Sequence, residues 1–275
     1  MATTLVWVNE RRHQVAEGCT LWQLAAAIDP LADVVIYNGF PLANDCELHA
    51  DDRVVLIRRG VAPALEDLQA AMVARHGPRV HDAVRAAKIG IAGCGGLGSN
   101  VAIHLARLGV GELVLADFDV VEPSNLNRQQ FFVDQIGMPK VRALGDTLAR
   151  ISPFVRVHAH EARVTTENVR PFFGSCDAIA ECFDAPSQKA MLAATCKKLL
   201  PATPLVTVSG IAGFGPASGI ACRRVFGNVF LIGDRETAAR PSVGLLSPRV
   251  GVAAAMQANV IMRLLLHEIG QTENE

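Results

Sequence analysis

The chain has 275 residues, half of them apolar, and 27 acidic against 26 basic side chains give it a net charge of −1. That composition fills a sizeable core and excludes a disordered chain. It provides no overall basic field, so nucleic acid and membrane are not expected as partners. Seven cysteines without a C-x-x-C pair, and a start with no basic-then-apolar leader, read as a soluble, cytoplasmic protein with reduced thiols.

Residues 3–8 alternate as a strand, Asn9-Glu10 marks a turn into a second strand, and Thr20 is placed to cap a helix over 21–28. Strands follow at 34–37, ending in Asn38-Gly39, and at 53–58 after Asp51-Asp52. This order suits a small β-grasp. With its V-N, Y-N-G and D-D-R-V-V-L-I segments, residues 1–60 resemble a ubiquitin-like sulfur carrier of the ThiS type. Such carriers end in Gly-Gly with a free carboxylate, whereas here Arg58-Arg59-Gly60 runs on into Val61-Ala62-Pro63. An internal carbonyl is no nucleophile, so residues 1–60 read as a former carrier kept for docking, dimerisation or regulation, or as a passive appendage. Residues 61–85 read as a linker with helical patterns on either side of Gly77-Pro78.

From residue 86 the pattern becomes α/β. A short apolar strand at 89–92 runs into Gly93, Gly95 and Gly98 in G-x-G-x-x-G spacing, and an apolar-faced helix is expected over 99–108. Glycine lets the backbone approach an anion, and the N–H groups and positive dipole end of a helix point at it. A second strand at 112–116 delivers Asp117, 19 residues after Gly98, close to the offset at which an acid reaches a ribose. These features indicate an adenine nucleotide, and an NAD-dependent oxidoreductase would share them.

The next segment separates the possibilities. Asp117-Phe118-Asp119, then Ser124-Asn125-Leu126-Asn127-Arg128-Gln129, then Gly137-Met138-Pro139-Lys140 resemble the ThiF, MoeB and HesA adenylating enzymes, related to ubiquitin activators. The nearest likeness is to the ThiF variant with a fused ThiS-like domain. The resemblance implies a Rossmann-like, mostly parallel sheet with helices on both faces, in an adenylyltransferase domain over 86–275. It implies that ATP lies on Gly93, Gly95, Gly96, Leu97 and Gly98, with Asp117 at the ribose, Asp119 nearby, and Ser124 to Gln129 with Lys140 at the triphosphate. It also implies that Asp184, with Ala185 beside it, holds magnesium, so that Arg128, Lys140 and Asp184 form the catalytic set. Ser187 marks a helix start that Asp184 could instead cap, and Asp119 and Glu122 could instead turn the loop or pair with bases.

The expected reaction joins a carrier's terminal carboxylate to the α-phosphorus of ATP. A carboxylate with a pKa of about 3–4 is already ionised at pH 7, so the site needs cations rather than a base. The resemblance further implies a homodimer, a separate ThiS-like sulfur carrier as partner, and the thiazole half of thiamine as the destination. Many relatives carry zinc-binding C-x-x-C pairs and a crossover-loop cysteine. Both are missing here, including from residues 234–246, so neither structural zinc nor thiol capture is expected. Arg75 is the candidate for an arginine donated across subunits. A non-catalytic scaffold, its fused domain filling the carrier groove, is the other alternative.

After Pro153, strands at 155–160, 177–183 and 204–209 alternate with helices at 167–173 and 188–199. A hairpin at 220–232 and a long helix at 249–268 follow, the helix with Val252, Met256, Val260, Met262, Leu265 and Ile269 as its apolar face.

Overall fold

The computed structural model describes residues 2–42, 44–240 and 243–268. The chain divides into two compact units, Met1–His81 and Asp82–Glu275.

In the first unit β1 (Thr3–Val8) and β2 (Arg11–Ala16) form a hairpin, followed by α1 (Leu21–Ile28), β3 (Val34–Tyr37), β4 (Phe40–Pro41), β5 (Arg53–Ile57) and α2 (Leu65–His76). Asn9 and Glu10 take positive φ (47° and 62°), the geometry of a two-residue turn whose twist matches the strands. Thr20 and Gln23 form a reciprocal capping box at the start of α1. The sheet runs β2-β1-β5-β3-β4, with β1 and β5 parallel. The two-residue β4, not anticipated from sequence, is too short to show alternation. Val6, Val8, Leu21, Leu24, Leu48, Val54 and Leu56 make the core.

The Y-N-G and D-D segments are one hydrogen-bonded clamp. The Tyr37 hydroxyl and the His49 N–H each donate to Asp52 Oδ2 at 2.7 Å, and Asn38 Nδ2 donates to Oδ1 at 2.9 Å. Its own hydrogen bond to Asp52, and burial, raise the Tyr37 phenol above its ordinary pKa. Residues 60–64, beyond β5, are exposed and belong to no regular element.

α3 (Pro78–Ala86) precedes the sheet of the second unit. Its elements are β6 (Lys88–Ala92), α4 (Gly96–Leu108), β7 (Glu112–Asp117), α5 (Lys140–Ile151), β8 (Arg156–Glu161), α6 (Val169–Phe173) and β9 (Ala178–Glu181). They continue with α7 (Pro186–Leu199), β10 (Leu205–Val208), β11 (Ala221–Phe226), β12 (Val229–Gly233) and α8 (Ser247–Leu265). The strand order is β11-β12-β10-β9-β6-β7-β8, and only the edge strand β11 is antiparallel. β6, β9 and β10 are almost wholly buried, which is why they read as unbroken apolar runs. The chain leaves β6 first toward β7 and later toward β9, so a crevice opens at the carboxyl ends of these central strands.

Two sequence expectations are corrected here. α8 turns Val250, Ala253, Ala254, Gln257, Val260 and Ile261 inward while Val252 is exposed, because small residues let this helix pack closely on α4. Ile269 lies outside the described residues. α4 begins at Gly96, three residues earlier than the glycine spacing suggested.

Candidate nucleotide site

β6 ends at Ala92, and Gly93 turns the chain with φ +95°; a Cβ there would sit 3.0 Å from the Cys182 carbonyl oxygen. Gly95 precedes α4, and Gly96, Leu97 and Gly98 form its first turn. A Cβ on Gly98 would fall 1.8 Å from the Gly93 carbonyl oxygen, so only glycine lets the helix pack on the loop this closely. Ser99 N–H makes a backbone bond to the Gly95 carbonyl (3.0 Å), and the helix's earlier N–H groups, lacking intrahelical acceptors, face the crevice.

Asp117 closes this turn from β7. Its Oδ2 accepts from the Cys94 N–H at 2.6 Å and its Oδ1 from the Asp119 N–H at 2.8 Å. Burial pushes this carboxyl up, and the two N–H groups only partly offset it. The side chain expected at the ribose therefore already shapes the phosphate turn, with one lone pair left on each oxygen.

The segment after Asp119 folds over the turn. Asn125 Oδ1 accepts from the Glu122 N–H and its carbonyl from the Arg128 and Gln129 N–H groups, while the Ser124 hydroxyl donates to Glu122. Glu122 thus turns the loop. The Arg128 guanidinium donates to the Ser124 carbonyl (3.1 Å) and Asn127 Oδ1 (2.8 Å), and its stem lies 3.4 Å from where a Gly96 Cβ would be. Gln129 Nε2 lies 3.7 Å from the corresponding point on Gly95. Arg128 Nε and Gln129 Oε1 are both buried without hydrogen-bond partners. Two orphaned polar atoms over a glycine turn mark a place for a polar ligand. Leu126 completes the short turn.

Lys140 opens α5 and is buried, with Asp119 Oδ2 at 3.0 Å from its Nζ. Asp119 therefore pairs with a base, one of the two readings open for it. The side chains brought together around Gly96 and Asp117 are thus Asp119, Arg128, Gln129 and Lys140.

Asp184 stands at the carboxyl end of β9, exposed. Ala185 is the residue before α7 and Pro186 its first, so Asp184 does not cap that helix. Among the described residues no group of three or more His, Cys, Asp or Glu could hold a metal by itself. The exposed Asp184 carboxylate is an oxygen donor of the kind magnesium takes alongside phosphate oxygens.

The sequence reading missed Glu181, which is wholly buried. Its carboxylate accepts from Lys189 Nζ (2.9 and 3.1 Å), the Thr207 hydroxyl and the Phe183 N–H (2.7 Å). An acid inside the apolar run A-I-A-E-C-F, with a lysine eight residues on, was the available signal.

Comparison with known proteins gives this geometry a family. Residues 67–275 match the model of the ThiF family, and residues 5–60 match that of ThiS-like ubiquitin. The chain belongs to the ThiF family. It is 31% identical to molybdopterin-synthase adenylyltransferase of Salmonella typhimurium over 68% of this chain and 76% of the relative. To the Escherichia coli sulfur carrier protein ThiS adenylyltransferase it is 34% identical, over 64% of this chain and 70% of the relative. The E. coli tRNA N6-threonylcarbamoyladenosine dehydratase TcdA, solved with ATP, shares the fold at a TM-score of 0.67 and 22% identity, over 78% of this chain and all of that one. As a ThiF-family member with curated adenylyltransferase relatives, the chain is an enzyme of the nucleotidyltransferase class, and the oxidoreductase alternative falls.

In this ThiF-family chain the loop after β12 is held by a buried arginine. Arg249, in the first turn of α8, donates to the Gly215 and Pro216 carbonyls (2.7 and 2.8 Å) and to Asp234 Oδ2 (2.8 Å). The next residue, Val250, lies 3.2 Å from where a Gly96 Cβ would be. One helix end thus braces both the phosphate turn and two loops. Among the described residues no helix is long and apolar enough to cross a membrane.

Proposed function

We propose that this enzyme binds ATP on the glycine turn and joins its α-phosphorus to the terminal carboxylate of a ThiS-like sulfur carrier supplied in trans, releasing pyrophosphate, in thiamine thiazole formation. The observation that carries the reading is the pair of orphaned atoms, Arg128 Nε and Gln129 Oε1, buried over the turn. ATP's phosphate oxygens can accept from Arg128 Nε and its ribose hydroxyls can donate to Gln129 Oε1, and TcdA, which shares the fold, was solved with ATP.

The chain's own groups suit the chemistry. The attacking carboxylate needs no base, so catalysis consists of tolerating negative charge as the carboxylate approaches and pyrophosphate departs. Arg128 offers a planar fork to phosphate oxygens, and Lys140 offers the N–H donors that Asp119 leaves free. Asp117 and Asp119 hold the turn and the lysine in register. Magnesium on Asp184 supplies further charge neutralisation when bound.

While Gly60 continues into residues 61–64 as peptide the first unit has no terminal carboxylate to be adenylated, and only cleavage after Gly60 would supply one. Val120, Phe132, Val133 and Ile136 are exposed on the segment between β7 and α5, an apolar surface that a second copy of this chain would cover in a homodimer.

ATP–pyrophosphate exchange with magnesium, with and without a ThiS-type carrier ending in Gly-Gly, tests the reading. Exchange that depends on the carrier and falls about a hundredfold or more in Arg128→Ala supports it. Exchange independent of the carrier, or full exchange in the variant, rejects it.

A further inference from the structure

One buried acid takes no part in the proposed chemistry, yet it stands three residues before Asp184. Glu181 ends β9, and donors from three places converge on its carboxylate. Lys189 Nζ of α7 lies 3.1 Å from Oε1 and 2.9 Å from Oε2, the Thr207 hydroxyl of β10 donates to Oε2, and the Phe183 N–H donates to Oε1 at 2.7 Å. The Glu181 carbonyl accepts from Gln257 Nε2 of α8 at 3.1 Å.

The stretch of chain this carboxylate controls is short. The backbone bonds of β9 run on to Cys182, whose N–H meets the Ala92 carbonyl at 2.9 Å, and those of α7 start with the Gln188 and Lys189 N–H groups on the Ala185 carbonyl (3.0 and 3.1 Å). Phe183 and Asp184 lie between. Glu181 holds this stretch on both sides, through the Phe183 N–H before Asp184 and through the Lys189 side chain after it. Phe183 is also seated on the phosphate turn, since its Cδ1 lies 3.2 Å from the point a Gly93 Cβ would take.

We propose that Glu181, with Lys189, is the positioning residue for Asp184, fixing the turn between β9 and α7 so that the exposed carboxylate is already in place for the metal. The inference rests on the magnesium role of Asp184 proposed above. An aspartate on a loose turn loses conformational freedom when an ion fixes it, and a turn held beforehand loses less. Bonds to a charged carboxylate set direction as well as distance, which an apolar contact does not. Stability alone does not call for the pair, because well-packed apolar side chains fill a buried ion-pair site equally well.

Calorimetric titration of the full chain with the unreactive analogue α,β-methylene-ATP, once in EDTA and once in excess magnesium, tests this. The ratio of the two affinities is the gain from the metal. The double variant Glu181→Met, Lys189→Met removes both holds on the turn without leaving a buried charge. Its affinity in EDTA is expected to stay within about twofold of the parent, while the gain falls about tenfold. Glu181→Gln keeps an oxygen for Phe183 but weakens the hold on Lys189, and its gain is expected to fall between the two. In an Asp184→Ala background the Met pair is expected to lower the gain no further. An unchanged gain in both Glu181 variants overturns the proposal, and so does a fall that adds in full to that of Asp184→Ala. A parent that gains nothing from magnesium, or an Asp184→Ala variant that gains as much as the parent, overturns the magnesium role itself, and the positioning role with it.

Discussion

Lys140 Nζ lies 3.0 Å from Asp119 Oδ2, and the Lys140 N–H bonds the Asp119 carbonyl at 2.9 Å, so one aspartate holds the lysine at both ends. The ammonium is buried at the head of α5, where the helix dipole repels a cation. An arrangement that is poor for stability and good for an anion follows the chemistry proposed. Lys140→Met is expected to lower pyrophosphate exchange about a hundredfold while leaving the urea midpoint unchanged or higher. Asp119→Asn leaves the ammonium without its counter-charge and should cost about 1–3 kcal/mol in the same titration. Adding tripolyphosphate should recover part of that loss.

The glycines of the turn are not equivalent. A Cβ on Gly98 meets backbone at 1.8 Å, which no side-chain movement relieves, so Gly98→Ala should prevent folding or cost more than about 4 kcal/mol. A Cβ on Gly96 meets only the side chains of Val250 (3.2 Å) and Arg128 (3.4 Å). Gly96→Ala should therefore fold with a melting temperature near that of the parent and bind ATP weakly, because the displaced neighbour is the arginine proposed to receive the phosphates.

Glu181 ties the end of β9 to α7 through Lys189. Glu181→Gln removes the counter-charge from a lysine whose side chain is only 24% exposed, and should cost on the order of 2–4 kcal/mol in chemical denaturation. The double variant Glu181→Met, Lys189→Met should recover most of that stability, since well-packed apolar groups can replace a buried pair. Equal stability of the single and double variants would mean that the unpaired lysine is not what destabilises Glu181→Gln.

Asp234 sets a pH dependence. Burial alone would raise its carboxyl, but the Thr237 and Glu236 N–H groups, the Thr237 hydroxyl and Arg249 outweigh this and hold it below the usual carboxylate range. With the folded pKa depressed, the contribution is fully present above the unfolded value of about 3.9 and is lost as pH falls through the folded one. Asp234→Asn should lower stability at pH 6, and the gap from the parent should close as the pH is taken below about 4. A gap of constant size down to pH 2.5 would show that the carboxylate's charge plays no part.

The repeating pattern of apolar strand, turn and amphipathic helix was enough to place every strand of the second unit's sheet within a residue or two. Buried parallel strands can be built only from continuous apolar runs, so their sequence has few alternatives. The glycine turn, Asp117 and the Arg128 to Lys140 motif stood out as a family pattern, and the structure brings them together around Gly96; their roles toward an anion are the proposal made above. α5 has no start signal in the sequence although Val141, Leu144 and Leu148 have helical spacing, because its N-cap position is Pro139, which offers no capping side chain. What the sequence alone determined is therefore the strands of the second unit's sheet and the family to which its glycine turn and charged motif belong. Only the tertiary structure decided that Asp117 pins the turn, that Asp119 holds Lys140, that Glu181 ties the end of β9 to α7, and that Arg163 lies on Phe118. These partners are between 2 and 45 residues apart in the chain, and sequence spacing carries no information on which strand ends the sheet brings side by side.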